Sequence, residues 1–272
     1  MALPTGVATG RSCRNMPMIF RQFALVLRLL LPFAAKAADY VRIPAGEFES
    51  ALAIDGHAAH LRLAAFSMRN EPVTNAEFLA FVRQHPEWRR GQVPSLLAGS
   101  GYLSQWRGPL EPGEAGLPDR PVTQVSWFAA RAYCDSERAR LPNWYEWEYV
   151  AAADATRTDA RRDPVRNQDL LSAIQESGGI PPGAIGTRPA NVYGVRDLNR
   201  LLWEWTGDYA AMFPNSDARV PGSVANLALC GGSALAFADK NQYALMMRVA
   251  ALTVLEPADT APRVGFRCVR DP

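Results

Sequence analysis

The sequence predicts a mixed α+β fold, rich in loops and built around small twisted sheets. Three observations carry that expectation. Short apolar runs near the N-terminus are punctuated by turn residues, as strands are. Apolar stripes at helical spacing follow residues able to cap a helix. Long stretches rich in Pro, Gly and Trp have no period at all, as in ordered surface loops. With 272 residues and 48% hydrophobic composition the chain can bury a real core.

Tyr40 to Phe48 reads as a strand entering a turn, with Val41, Ile43 and Phe48 apolar and Pro44-Ala45-Gly46 as punctuation. Asp55-Gly56 is a hairpin turn, and a second strand is expected over roughly 61–68. Thr74 opens a helix: it can accept from the backbone of Glu77, whose side chain can reach back. Phe78, Phe81 and Val82 then share one face. Residues 86–120 read as a long ordered loop. Pro121 to Val125 gives a short strand, and Ser126 caps a helix running to about Arg138. Asn143 caps the next, with Glu146 three residues on, and Trp144, Trp147 and Val150 or Ala151 facing the core. Residues 153–186 are charged, then rich in Gly and Pro, with no element assigned.

The net charge of +2 comes from dispersed Lys and Arg. This excludes the concentrated basic face that nucleic-acid binding needs. Arg14 and Arg21 precede an apolar run over 23–33, and Ala35-Lys36-Ala37 supplies small residues at a cleavage position. Residues 1–37 are therefore expected to be a secretory signal, with Met16 or Met18 as alternative starts, and 38–272 one exported domain. The run is too short to span a bilayer. Export implies a periplasmic location that permits disulfides. Cys134, Cys230 and Cys268 then remain, so at most one bridge forms within the chain.

Several strings resemble the formylglycine-generating enzymes, also called sulfatase-modifying factors. They are Pro72-Val73-Thr74-Asn75, Arg140-Leu141-Pro142 with Glu146-Trp147-Glu148-Tyr149, Asn191-Val192-Tyr193-Gly194-Val195-Arg196-Asp197-Leu198 with Trp203-Glu204-Trp205, and Gly265-Phe266-Arg267-Cys268. The resemblance covers nearly all of 38–272, most weakly near 90–118, 153–188 and 209–228. It implies the formylglycine-generating-enzyme fold, related to the C-type lectin fold. It also implies a bridge between Cys134 and Cys268. The finer pattern resembles the exported, cysteine-poor branch encoded with copper nitrite reductases of denitrifying bacteria, the NirV type.

The family binds Cu(I) with two thiolates placed between a Gly-Gly-Ser turn and the Gly-Phe-Arg-Cys end. Here the turn is Gly231-Gly232-Ser233, and no cysteine follows it before Cys268. The soft ion thus lacks the ligands that suit it. Family calcium at one site uses Gly-Asn just before Trp-Glu-Trp. Arg200 and Leu201 stand there instead, and Leu201 has no side-chain oxygen to give. The implied state is a body without the family's metals or cofactors, and without catalytic residues. Trp203 and Trp205 are expected as buried aromatics, with the Glu204 carboxylate satisfied by backbone donors.

Candidates for a ligand or client groove are Cys230, Ser233, Arg248 and Arg263. Cys230 reads either as a metal or thiol contact or as a small buried apolar residue. Arg248 and Ser233 line the groove by resemblance; the other reading of Arg248 is an ion pair with Asp239 or Glu256. Arg263 stands where the family has Asn, and Leu252 replaces an Arg. Met246 and Met247, taken as neighbours on a strand, would point to opposite faces and pack rather than chelate. His57, His60 and His85 are the only histidines, and no third ligand accompanies the first two. No Ser-His-Asp set or phosphate loop is present. The expected function is a periplasmic, non-catalytic accessory to a client metalloprotein. The alternatives are an oxidase with a divergent copper or iron site and a lectin-like binding module.

Overall fold

A computed structural model describes residues 38–54, 57–176, 180–208 and 242–272. All lie in one compact unit, Ala35–Pro272. The proposed signal, Cys230, Ser233 and Asp239 lie outside the described residues. The architecture is α+β with small sheets and long loops, as the sequence predicts.

Strands β1 (Tyr40–Ile43) and β4 (Phe66–Arg69) pair antiparallel, and β7 (Val269–Arg270) joins the far edge of β4. The two ends of the described chain thus meet in one sheet. Strands β2 (Gly46–Ile54) and β3 (His57–Leu63) form a separate antiparallel hairpin, with Ile54 opposite His57 as a two-residue connection requires. The single strand expected over 61–68 is in fact the end of β3 and the whole of β4. Ala64-Ala65 separates them, and each strand pairs with a different partner.

Helix α1 (Asn75–Gln84) carries the full capping box: Thr74 accepts from Glu77 N, and the Glu77 carboxylate accepts from Thr74 N. Phe78, Phe81 and Val82 are buried as expected. Helix α2 (Trp127–Ser136) is capped by Ser126 and ends two residues before Arg138, which adopts a left-handed φ of 52°. Helix α3 (Trp144–Ala151) has the second capping box, Asn143 with Glu146. Helix α4 (Pro164–Glu176) occupies a stretch where the sequence reading assigned no element. Strands β5 (Trp203–Glu204) and β6 (Val264–Gly265) pair in parallel, and helix α5 (Tyr243–Thr253) lies between them in sequence.

The main core gathers Phe78, Tyr133, Trp106, Trp205 and Phe266 around the disulfide. That disulfide joins Cys134 of α2 to Cys268 beside β7, so the pairing implied by resemblance is observed. No helix among the described residues is long and apolar enough to cross a membrane.

Candidate functional site

Two helices build the site. On α3, Trp144 and Trp147 stand three residues apart and so share a face. Their ring centroids are 6.1 Å apart, with planes 28° from parallel. On α5, Leu245, Val249 and Leu252 form a buried stripe at helical spacing. Arg248 falls inside that stripe and is carried into the interior with it. It is 1% exposed. Its guanidinium carbon lies 3.6 Å from the Trp147 ring centroid and 5.2 Å from that of Trp144, a cation–π sandwich edge.

The helical path corrects the strand assumed for Met246 and Met247. Consecutive helical residues diverge by about 100°, so these two also do not chelate. Met246 packs part-buried against the α3 cluster, while Met247 is exposed.

Arg248 Nη2 donates to the Glu204 carbonyl. Nε and Nη1 have no hydrogen-bond partner, and Arg248 makes no ion pair among the described residues. Of the two acids in the alternative reading of Arg248, Asp239 lies outside the described residues, and Glu256, whose backbone N–H donates to Asp259, makes no ion pair with Arg248 among the described residues. The Trp144 indole N–H approaches Glu148 but not in hydrogen-bonding geometry. Burial pushes the Arg248 guanidinium down to about 9.

The surrounding carboxylates are already engaged. Glu204, 1% exposed, accepts from Trp147 Nε1 at 2.8 Å and from Arg267 Nε and Nη2 at 2.9 and 2.8 Å. This corrects the expectation that backbone donors satisfy it. Glu148 accepts from the Ser50 hydroxyl and the Ala51 backbone N–H, each at 2.6 Å, and from Arg161 at 3.2 Å. Burial raises its pKa above the ordinary carboxylate range. Asp208 accepts from the first backbone N–H of α3 at 2.9 Å, and burial raises it too. Beside this cluster a small cleft of about 30 Å³ opens between α3, α4 and α5, lined by Glu148, Arg161, Arg166, Asn167, Asn199 and Leu245.

Arg263 belongs to a different contact set. Its Nη1 and Nη2 donate to the carbonyls of Ile180 and Leu201 at 2.8 and 2.7 Å, stitching two loops together. Trp205 is fully buried, whereas Trp203 is only part-buried. Trp144, Trp147, Glu148 and Arg267 were read only as core or motif residues. Their clustering was hidden because the partners lie 57 and 63 residues apart in sequence.

The donor chemistry does not fit the family's metals. A thiolate-bound Cu(I) needs cysteines, and positions 231–267 hold none. At the calcium position the Arg200 guanidinium meets Asp169, and the Leu201 carbonyl is taken by Arg263. Cations of the protein thus use the oxygens there. Among the described residues no three His, Cys, Asp or Glu side chains converge.

Residues 28–272 match the sulfatase-modifying factor enzyme 1-like domain family. A formylglycine-generating enzyme of Streptomyces coelicolor is 29% identical, the match covering 85% of this chain and 88% of that enzyme. The inactive C-alpha-formylglycine-generating enzyme 2 of Bos taurus is 26% identical, covering 86% and 88%. A hercynine oxygenase of Mycolicibacterium thermoresistibile is 32% identical over 165 residues, covering 55% of this chain and 37% of that protein.

Proposed function

Since the chain belongs to the sulfatase-modifying factor enzyme 1-like family, we propose that it is a non-catalytic accessory protein of the periplasm. It holds a segment of a client metalloprotein, copper nitrite reductase in the first instance, while that client is assembled. One observation carries the reading. The Gly231-Gly232-Ser233 turn and the Gly265-Phe266-Arg267-Cys268 end are kept, yet no thiolate lies between them. Oxygen activation at Cu(I) has no ligand set there. Similarity along most of its length to a bovine relative named as inactive supports the same direction. The N-terminal Arg-flanked apolar run followed by Ala35-Lys36-Ala37 supports export.

Deleting the gene from a host that makes copper nitrite reductase tests this. The expected result is exported reductase with substoichiometric copper, restored by the wild-type chain. Fully metallated reductase in the deletion strain would overturn it.

The hercynine oxygenase similarity favours a second reading, an oxidase with a divergent metal site. Metal analysis of protein purified from the periplasm, with an oxygen-uptake assay, separates the two. Stoichiometric copper or iron with turnover establishes the oxidase.

A further inference from the structure

A second cleft, of about 350 Å³, is lined by helix α4 and the loop over residues 188–200, a size that suits a small organic ligand. Its walls carry both signs of charge: Arg166, Arg188 and Arg200 with Asp154, Asp169 and Asp197. Two of the aspartates are engaged. Asp154 accepts from Arg157 and from the backbone of Thr156, and Asp169 meets Arg200. Arg166 and Asp197 are held differently. Arg166 Nη2 donates to the Ala151 carbonyl at 2.6 Å, and the side chain makes no ion pair among the described residues. Burial disfavours its charged form; Asp154 and Asp159 attract it, while Arg200 and Arg161 repel it. Asp197 is buried and accepts from the Gly186 backbone N–H at 2.6 Å. Burial raises its pKa against the pull of that N–H, Arg267 and Arg196, and no cation pairs with it at contact distance among the described residues. A base and an acid thus line one cleft without meeting each other.

We propose that this cleft binds a small zwitterion of the amino-acid type, its carboxylate at Arg166 and Arg188 and its ammonium at Asp197. The mixed walls decide the class. A dianion such as phosphate would meet three aspartates, and a simple cation three arginines. A neutral ligand would leave Arg166 and Asp197 as they are. A zwitterion gives each a charge-assisted partner, and the guanidinium fork matches a carboxylate. Arg188 is exposed at the cleft and free to turn toward an incoming ligand. Leu170 and Val195 contribute apolar surface, which suits an aliphatic side chain. The cleft uses no residue of the Gly231-Gly232-Ser233 turn, so it stands whether or not the chain holds a client.

Titration calorimetry of the full chain with three matched probes tests the site: L-leucine, isocaproate, which lacks its ammonium, and isoamylamine, which lacks its carboxylate. Leucine is expected to bind with a dissociation constant below about 1 mM. Each of the other two should bind at least about tenfold more weakly, since each forgoes one charge-assisted contact. Arg166→Met should weaken leucine by roughly tenfold or more. If that variant does not fold, Arg188→Met alters an exposed side chain and should weaken leucine by about threefold or more. No binding of leucine at millimolar concentrations, or equal binding of the three probes, would overturn the proposal. So would leucine affinity left unchanged in whichever of the two variants is folded.

Discussion

The Arg267 guanidinium lies against the Glu204 carboxylate with contacts of 2.9 Å from Nε and 2.8 Å from Nη2, joining residues 63 apart in sequence. The pair is wholly internal, at 0% and 1% side-chain exposure. The remaining Arg267 donors hold the carbonyls of Arg69, Asn70 and Arg196. One side chain thus fastens β4, the 191–198 loop and β5 to the C-terminal segment.

Removing one partner of such a pair leaves the other charged and buried. Glu204→Gln is therefore expected to cost about 3–5 kcal/mol, and Arg267→Met a similar amount with three carbonyls also released. Urea unfolding monitored by tryptophan fluorescence checks this. A loss below about 1 kcal/mol for either variant would mean the pair is not the fastening it is taken to be. Because Trp147 donates to the same carboxylate, Glu204→Gln should also shift the tryptophan spectrum of the folded protein.

The Cys134–Cys268 bridge closes a loop of 134 residues. The chain-entropy relation gives about 5 kcal/mol for a loop of that length, an upper figure. Both sulfurs are in residues with no exposed surface. Thiol reductants should therefore leave the native bond intact and reach it only after unfolding. Alkylation followed by mass spectrometry should show no labelling of Cys134 or Cys268 in native protein treated with reductant. Unfolding midpoints should drop sharply only for protein refolded in reductant or for Cys134→Ser. Rapid native labelling would sink this expectation.

Local chemistry made part of this fold legible. Thr74 with Glu77 and Asn143 with Glu146 are reciprocal hydrogen bonds across three residues, so sequence spacing alone specifies them. The bridge was legible only through resemblance, since parity left three cysteines to choose from. Helix α4 was missed because it has little apolar face: Leu170 is its buried residue, while Val165 is 77% exposed. Helix α5 was misread around Met246 because Tyr243–Thr253 is apolar almost all round, and such a run has no decisive period. The site stayed hidden for a different reason. Arg248, Trp147, Glu204 and Arg267 come from four segments, and only long-range packing brings them together.

Gly265 shows why a motif glycine is kept. It sits in β6, where a Cβ would overlap the Leu202 side chain and the Val122 carbonyl oxygen. The leucine can shift, but the carbonyl is backbone and cannot shift cheaply. Gly265→Ala should therefore cost about 1–3 kcal/mol through overpacking, and should loosen the β5–β6 pairing that positions Glu204. Hydrogen exchange at Trp205 N, which donates to the Gly265 carbonyl at 2.9 Å, reports that pairing directly. Protection unchanged from wild type would show that the strand absorbs the methyl group.

Glu148 gives a pH signature of definite sign. Burial raises its folded-state pKa against the opposing pull of Ala51, Ser50 and Arg161, whereas in the unfolded chain it titrates near the usual value of about 4.3. Below that value both states are protonated and the residue costs nothing by titration. As pH rises through the raised folded-state pKa, the folded state holds its proton longer than the unfolded state, so stability falls. Glu148→Gln does not titrate and escapes this loss. The stability gap between wild type and Glu148→Gln should therefore narrow as pH rises above the ordinary glutamate value of about 4.3. Asp154 has the opposite sign: hydrogen bonding to Arg157 holds its carboxyl below the usual range, so its contribution is present above about pH 4 and fades as pH falls. Asp154→Asn should flatten the acid limb that Glu148→Gln leaves intact. Urea midpoints of the three proteins across pH 2.5–8 check both signs, and a gap for Glu148→Gln that widens toward pH 8 would show that Arg161 and the backbone outweigh burial at that carboxylate.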